Sequence, residues 1–205
     1  MVAIRWDAMT RGHAEVLMPM VEAVVADHGY GEVDLICVGT GPGGYTGLRI
    51  ALAAARGLAL ATGLPILGVS NFDIQHHLAR RTCPDGPLAV ILETRRSDVY
   101  LQIYDAQGVP TGEPEVLSLP DLEARLVASV PSLVVAGDAV DRCREGLVAT
   151  EEIQVWMPQQ HADAGVLAEL GALRHAQAST VPPQPLYLRP PDVSTPAADR
   201  QRLRG

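Results

Sequence analysis

The sequence predicts an α/β fold, and three observations carry that prediction. Short apolar runs alternate with stretches of helical periodicity through the first eighty residues. A glycine-rich turn, Gly39-Thr40-Gly41-Pro42-Gly43-Gly44, separates one such run from a long amphipathic stretch. A dense cluster of breakers, Thr82-Cys83-Pro84-Asp85-Gly86-Pro87, divides this part from one that begins with paired β-rich runs. The cluster suggests two lobes, residues 1–81 and 82–205.

Each element has its own local reason. Val2 to Trp6 reads as a short strand, and Thr10 as the cap of a helix carrying Leu17, Met20, Val21 and Val24 at helical spacing and ending near Gly29. Asp34 to Val38 reads as a buried strand leading into the glycine turn. Leu48, Ala51, Leu52, Ala55, Leu58 and Ala59 then form one apolar stripe, with Arg49 and Arg56 on another face. Gly63 stops that helix, and Pro65 prevents its return. Ile66 to Val69 predicts a strand, and Ser70 or Asn71 caps a helix reaching about Arg81. Beyond the breakers, Leu88 to Leu92 and Val99 to Tyr104 predict a hairpin joined by Glu93 to Asp98, and Val116 to Ser118 adds a strand. Helices are expected over 122–127, 138–148 and 162–176, and a strand over 133–136. From Ser179 the chain is rich in Pro and Arg, and only Leu186-Tyr187-Leu188 reads as a docking segment.

Composition narrows the function. The chain is 47% hydrophobic over 205 residues, which supports a buried core. Its formal net charge of −8 repels phosphate backbones, so direct, autonomous binding of a nucleic acid is not expected. All 16 basic residues are Arg, which excludes a P-loop lysine and a Schiff-base nucleophile. Three scattered cysteines, Cys37, Cys83 and Cys143, make no disulfide framework and fit a reducing compartment. No apolar run reaches the roughly 18 residues of a membrane span, and a cytoplasmic protein is expected.

A strand, a glycine turn and a helix form a generic anion cradle through outward backbone N–H groups. Gly39-x-Gly41-x-x-Gly44 satisfies dinucleotide spacing, but Pro42 lies inside it, and the position about 20 residues on is Leu64 rather than an acid. These glycines could equally serve tight turning and close packing alone. Read as a whole, Val38-Gly39-Thr40-Gly41-Pro42-Gly43-Gly44-Tyr45-Thr46-Gly47-Leu48-Arg49, continued by Arg56-Gly57-Leu58-Ala59-Leu60, Gly63-Leu64-Pro65 and Gly68-Val69-Ser70, closely resembles the TsaB family. Arg11 to Glu15, Leu17 to Met20, Arg95, Val99-Tyr100 and Pro185 to Arg189 extend the resemblance.

That resemblance implies an actin-like, ribonuclease H-like two-lobed ATPase fold without its catalytic machinery. It implies a role as the non-catalytic partner of TsaD, with TsaE joining, in forming N6-threonylcarbamoyladenosine beside the anticodon. A homodimer is the other expected assembly. No cofactor is required by this chain, although ATP or ADP can belong to the complex. Compared with the family, the chain begins at what should be the third strand, so the first lobe is expected to lack two strands and to present an open edge that invites pairing. The partner face expected from the family includes Glu15, Met18, Tyr45, Arg49, Ala53 and Arg56. Small residues from Ala51 to Ala55 and Gly57 would let another helix approach closely.

Two rival readings remain at this level. A glycoprotease-like metal- or ATP-dependent enzyme would need ligands that are hard to find. The metal-binding paralogue resembles this chain with a His-x-x-x-His pair at positions occupied here by Asn71 and Gln75. Adjacent His76 and His77 diverge by about 100° on a helix and read as surface groups. No catalytic or metal residue is assigned. Cys83 reads as an inert thiol, and the pairs Asp121/Glu123 and Glu151/Glu152 read as solvated charges. A nucleotide or anion sensor is the second rival, with Gly41, Gly43, Gly44, Thr46, Arg95 and Gly137 as candidate contacts. Arg95 and Arg96 serve an exposed hairpin turn equally well.

Overall fold

A computed structural model describes residues 3–129, 132–147, 153–156 and 163–189. The expected pair Glu151/Glu152 and the chain after residue 189 lie outside the described residues. The described residues build an α/β structure on two sheets. The first sheet pairs β1 (Ile36–Gly39) with β2 (Ile66–Val69) in parallel, joined by the crossover helix α2 (Tyr45–Thr62). The second has five strands: β3 (Leu88–Glu93), β4 (Asp98–Tyr104), β5 (Glu115–Ser118), β6 (Leu133–Ala136) and β7 (Ile153–Val155). Their spatial order is β5-β4-β3-β6-β7. β3 to β5 form an antiparallel meander, and β6 and β7 add in parallel on the other side.

The alternation of side chains decides which layer each strand faces. In β3, Ala89 and Ile91 enter a cluster with Leu122 and Leu126 of α4 (Leu119–Val127) and with Val140 and Cys143 of α5 (Val140–Leu147). Leu88, Val90 and Leu92 face the other way, toward Phe72 and Ala79 of α3 (Asn71–Arg80) and toward Leu186 and Leu188. Burial on both faces is why β3 reads as an unbroken apolar run rather than an alternating one. In the first sheet, Val38 and Ile66 pack on Leu52 and Ala55 of α2. Leu67 and Val69 pack on Ile74 and Leu78 of α3 and on Val166 and Leu170 of α6 (Ala164–Leu173). Helix α3 is therefore a shared wall between the two sheets, and α6 returns from late in the chain to cover the first.

Most predicted elements appear, some with corrected bounds. Ser70 caps α3 by accepting the Asp73 amide at 3.0 Å, as its position before the helix suggests. Ala3 to Trp6 form no strand, and α1 (His13–Val25) starts after Gly12 with no side-chain cap, so Thr10 does not serve there. No residue of α1 is fully buried, so its apolar stripe is only half-covered by the rest of the chain. Strand β7 is an addition to the sequence reading. Only three residues long, it owes its place to pairing with β6.

Candidate functional site

The glycine turn is fixed by partners far away in sequence. The Asn71 backbone amide donates to Gly41 O at 2.7 Å, and its side-chain amide donates to Pro42 O at 2.9 Å. Thr40 donates from its backbone to Val69 O at 2.9 Å. Asn71, which stands where the metal-binding paralogue has an imidazole, thus acts as a clamp on the turn. Gly41 takes φ 96°, which favours glycine, and a Cβ there would fall 2.8 Å from a Leu48 methyl, which would have to shift. Gly43, Gly44 and Thr46 are exposed at the start of α2, whose N-cap, Gly44, provides no side-chain acceptor.

An extended strap, residues 179–189, crosses both sheets beside this turn. Ser179 bridges Ile66 in antiparallel fashion, and Pro183 O accepts from Arg56 at 2.7 Å. Leu186 donates its backbone N–H to Thr40 O at 2.8 Å while its side chain joins the core under the second sheet. Tyr187 lies against Tyr45 with ring centroids 5.2 Å apart, and its hydroxyl accepts from Arg49 at 3.1 Å. The Arg49 guanidinium stands 4.0 Å over the Tyr45 ring, a cation–π contact. Arg189 closes the strap with an ion pair to Asp98. Of the strap, only the docking of Leu186 to Leu188 is visible in sequence.

The turn between β3 and β4 faces the glycine turn. Thr94 donates its hydroxyl to Asp98 O at 2.6 Å, and Arg142 of α5 donates to Arg96 O and to Asp98 O while pairing with Glu93 at 3.0 Å. Arg95, the expected anion contact, has φ 60° and donates its backbone N–H to Glu93 Oε1 at 2.6 Å. It is Arg96, not Arg95, that shares a recess with Gly43 and Gly44. Gly41, Thr46 and Gly137 also lie off the lining of that recess. Gly137 has φ 126°, and a Cβ there would meet the Ile91 carbonyl oxygen at 2.1 Å, so close packing of β6 against β3 accounts for this glycine. The adjoining Asp138 carboxylate accepts the Glu93 amide at 2.8 Å.

The expected partner residues divide. Glu15, Arg49 and Ala53 are exposed, and Met18 and Tyr45 are half-buried. Together with exposed Gly57 and Leu60, 88% exposed, Arg49 and Ala53 line the outer face of α2 at helical spacing. Arg56 does not join them, because its guanidinium turns to Pro183.

The histidines also separate. His77 approaches Glu169 at 3.4 Å, near the Arg81–Glu169 pair. His76 is no surface group: it stacks on Tyr104 at 4.3 Å, and burial, reinforced by nearby Arg80, pushes its pKa down to about 4. Tyr104 donates to Asp73 at 2.9 Å, and Arg174 holds the other Asp73 oxygen at 2.7 Å. Burial pushes the Tyr104 hydroxyl and the Cys37 and Cys143 thiols up, which suits structural rather than nucleophilic use. Arg80 reaches Cys83 Sγ at 3.7 Å. Among the described residues no three His, Cys, Asp or Glu side chains converge as a metal site, and no helix is long and apolar enough to cross a membrane.

Two sheets joined through a shared helix, with a glycine turn facing a hairpin turn, make an α/β protein, and its structural neighbours give the fold as actin-like and ribonuclease H-like. Comparison with known proteins specifies it further. A family model described as TsaD: tRNA N6-adenosine threonylcarbamoyltransferase matches residues 7–113. An uncharacterised protein of Mycobacterium tuberculosis is 34% identical over 185 residues, covering 89% of this chain and 78% of that one. The tRNA threonylcarbamoyladenosine biosynthesis protein TsaB of Haemophilus influenzae is 25% identical over 190 residues, covering 87% and 80%. YeaZ from Pseudomonas aeruginosa superposes with a TM-score of 0.72 at 26% identity, covering 90% of this chain and 88% of that one. The chain belongs to the TsaB (YeaZ) family, within the superfamily that includes TsaD.

Proposed function

We propose that this chain is the partner subunit of a TsaD-type transferase, serving the formation of N6-threonylcarbamoyladenosine next to the anticodon of tRNAs that read codons starting with A. It scaffolds and activates TsaD and performs no turnover itself. The observation that carries this reading is the outer face of α2, where Arg49, Ala53, Gly57 and Leu60 stand exposed in one row beside Tyr45 and Tyr187. Small residues at its centre admit a second helix closely, and aromatic and Arg side chains at one end are the types that dominate interface energetics. Glu15 and Met18 of α1 extend the face, while Arg56 contributes by holding the strap.

In this reading residues 1–81 and 82–205 form two lobes, with α6 crossing back onto the first. TsaE joins the assembly, and a homodimer uses the same face when TsaD is absent. The net charge of −8 supports contact with tRNA only through the complex, in the cytoplasm, and any ATP or ADP belongs to that complex. The test is reconstitution of tRNA threonylcarbamoylation with TsaD, TsaE and threonylcarbamoyl-adenylate, with and without this chain. Modification is expected only when the chain is present. Full activity in its absence, or ATP hydrolysis by the isolated chain, would sink the proposal.

A further inference from the structure

The outer face of α2 ends in a side chain that is already held in one pose. Arg49 is solvent-exposed, yet its guanidinium stands 4.0 Å over the Tyr45 ring, and its Nε–H donates to the Tyr187 hydroxyl at 3.1 Å. An exposed arginine ordinarily samples many rotamers, and ordering it is one of the costs of association. Here the chain orders it in advance. Tyr187 owes its own position to anchors on both sides. Leu186 donates its backbone N–H to Thr40 O at 2.8 Å and packs its side chain under the second sheet, and two residues beyond Tyr187, Arg189 pairs with Asp98. The strap thus presents the Tyr187 hydroxyl to a helix 138 positions away in sequence. Among the described residues none accepts from the two terminal nitrogens of Arg49, so the fork of the guanidinium stays open at the surface.

We propose that Tyr187 is a positioning residue for the partner interface: it holds Arg49 so that the two terminal nitrogens receive an Asp or Glu carboxylate of the partner as a bidentate pair. The inference rests on the reading of α2 as the face that meets a TsaD-type protein. A planar fork of donors matches a planar carboxylate, and the match is sharpest when the fork is fixed beforehand. A protein carboxylate fits the setting better than a nucleic-acid phosphate does. The same row of α2 continues with Ala53, Gly57 and Leu60, which suit a packed helix, and the chain's net charge of −8 opposes a phosphate backbone. The strap is thereby part of the interface without having to touch the partner, and it ties the pose of an α2 side chain to the hairpin turn of the second sheet through Arg189 and Asp98.

The test is a double-mutant cycle on the full chain, with association to TsaD measured calorimetrically for the wild type, Tyr187→Phe, Arg49→Gln and the double variant. Tyr187→Phe keeps the ring beside Tyr45 and removes only the hydroxyl that accepts from Arg49. It is expected to weaken association about three- to tenfold, and Arg49→Gln at least about tenfold. Once Arg49 is gone, Tyr187→Phe should have no further effect. In the isolated chain, the Arg49 Nε–H signal should exchange with water faster in Tyr187→Phe, with the unfolding temperature unchanged. Unaltered affinity of Tyr187→Phe, an undiminished loss in the Arg49→Gln background, or equal Nε–H exchange in the two proteins would each overturn the positioning role. The two failures are distinguishable. No association of the wild type with TsaD overturns the α2 interface and this inference together, whereas tight association that Tyr187→Phe leaves untouched overturns this inference alone.

Discussion

Replacing Gly137 by alanine isolates what this glycine does. The new Cβ would lie 2.1 Å from the Ile91 carbonyl oxygen and 2.9 Å from both the Ile91 carbonyl carbon and amide nitrogen. These are backbone atoms inside β3, the strand that sits between β4 and β6, so no side chain can swing away to make room. Overpacking of this kind costs about 1–3 kcal/mol. The backbone at φ 126° adds about 1–3 kcal/mol for a residue that carries a Cβ. The sum is about 4 kcal/mol, a large part of the roughly 5–15 kcal/mol that holds a typical domain together. At about 2–4 °C per kcal/mol for a chain of this size, the unfolding midpoint should fall by about 8–16 °C. Thermal unfolding followed by circular dichroism measures this directly. A midpoint within about 2 °C of wild type would refute the packing argument and return Gly137 to the list of ligand contacts.

Two further perturbations test separate parts of the structure. His76 is held neutral by burial beside Tyr104, with Arg80 reinforcing, while Asp73 partly opposes and His77 and Arg174 also face it. Its folded pKa of about 4 lies below the ordinary 6.5, so the unfolded chain takes up the proton first. Its contribution is complete above pH 6.5 and is lost as pH falls toward 4, an upper bound of about 3 kcal/mol that partial exposure reduces to about 1–2 kcal/mol. Urea unfolding at pH 7 and pH 5 should show this loss in the wild type and a smaller one in His76→Phe, and equal losses in the two proteins would count against it. In the strap, Leu186→Ala removes a half-buried side chain from the core under the second sheet and should cost about 2 kcal/mol. Amide exchange should then quicken from Ser179 to Arg189 while β3 stays protected, whereas uniform exchange changes would show that the strap is no separate unit.

The sequence discloses those elements whose signals are local. The apolar run Leu88 to Leu92, the Ser70 cap and the Gly63 stop each depend on neighbours a few residues away, and each stands where local chemistry puts it. Strand β7 depends on pairing with β6, and three residues carry no period of their own. Apart from the docking of Leu186 to Leu188, the strap is invisible for the same reason. Its contacts to Thr40, Arg49, Arg56 and Asp98 span more than ninety positions each, and a Pro-rich segment offers no helical or strand pattern to announce them. The recess was half legible. Gly43 and Gly44 follow from the turn, but the choice between Arg95 and Arg96 rests on a single left-handed residue, which sequence does not reveal. Asn71 carried a signal that could have been used: an amide directly after a strand, placed to clamp a turn beside it.

The central claim is that the α2 face engages a TsaD-type partner, and one mass measurement tests it most directly. An equimolar mixture of this chain with TsaD is passed through size exclusion with light scattering, alongside the same mixture made with Arg49→Glu. The account predicts a peak at the summed mass of one copy of each for the wild type, and at least about tenfold weaker association for the variant. Two independent peaks for the wild type, or a complex that Arg49→Glu leaves untouched, would contradict it.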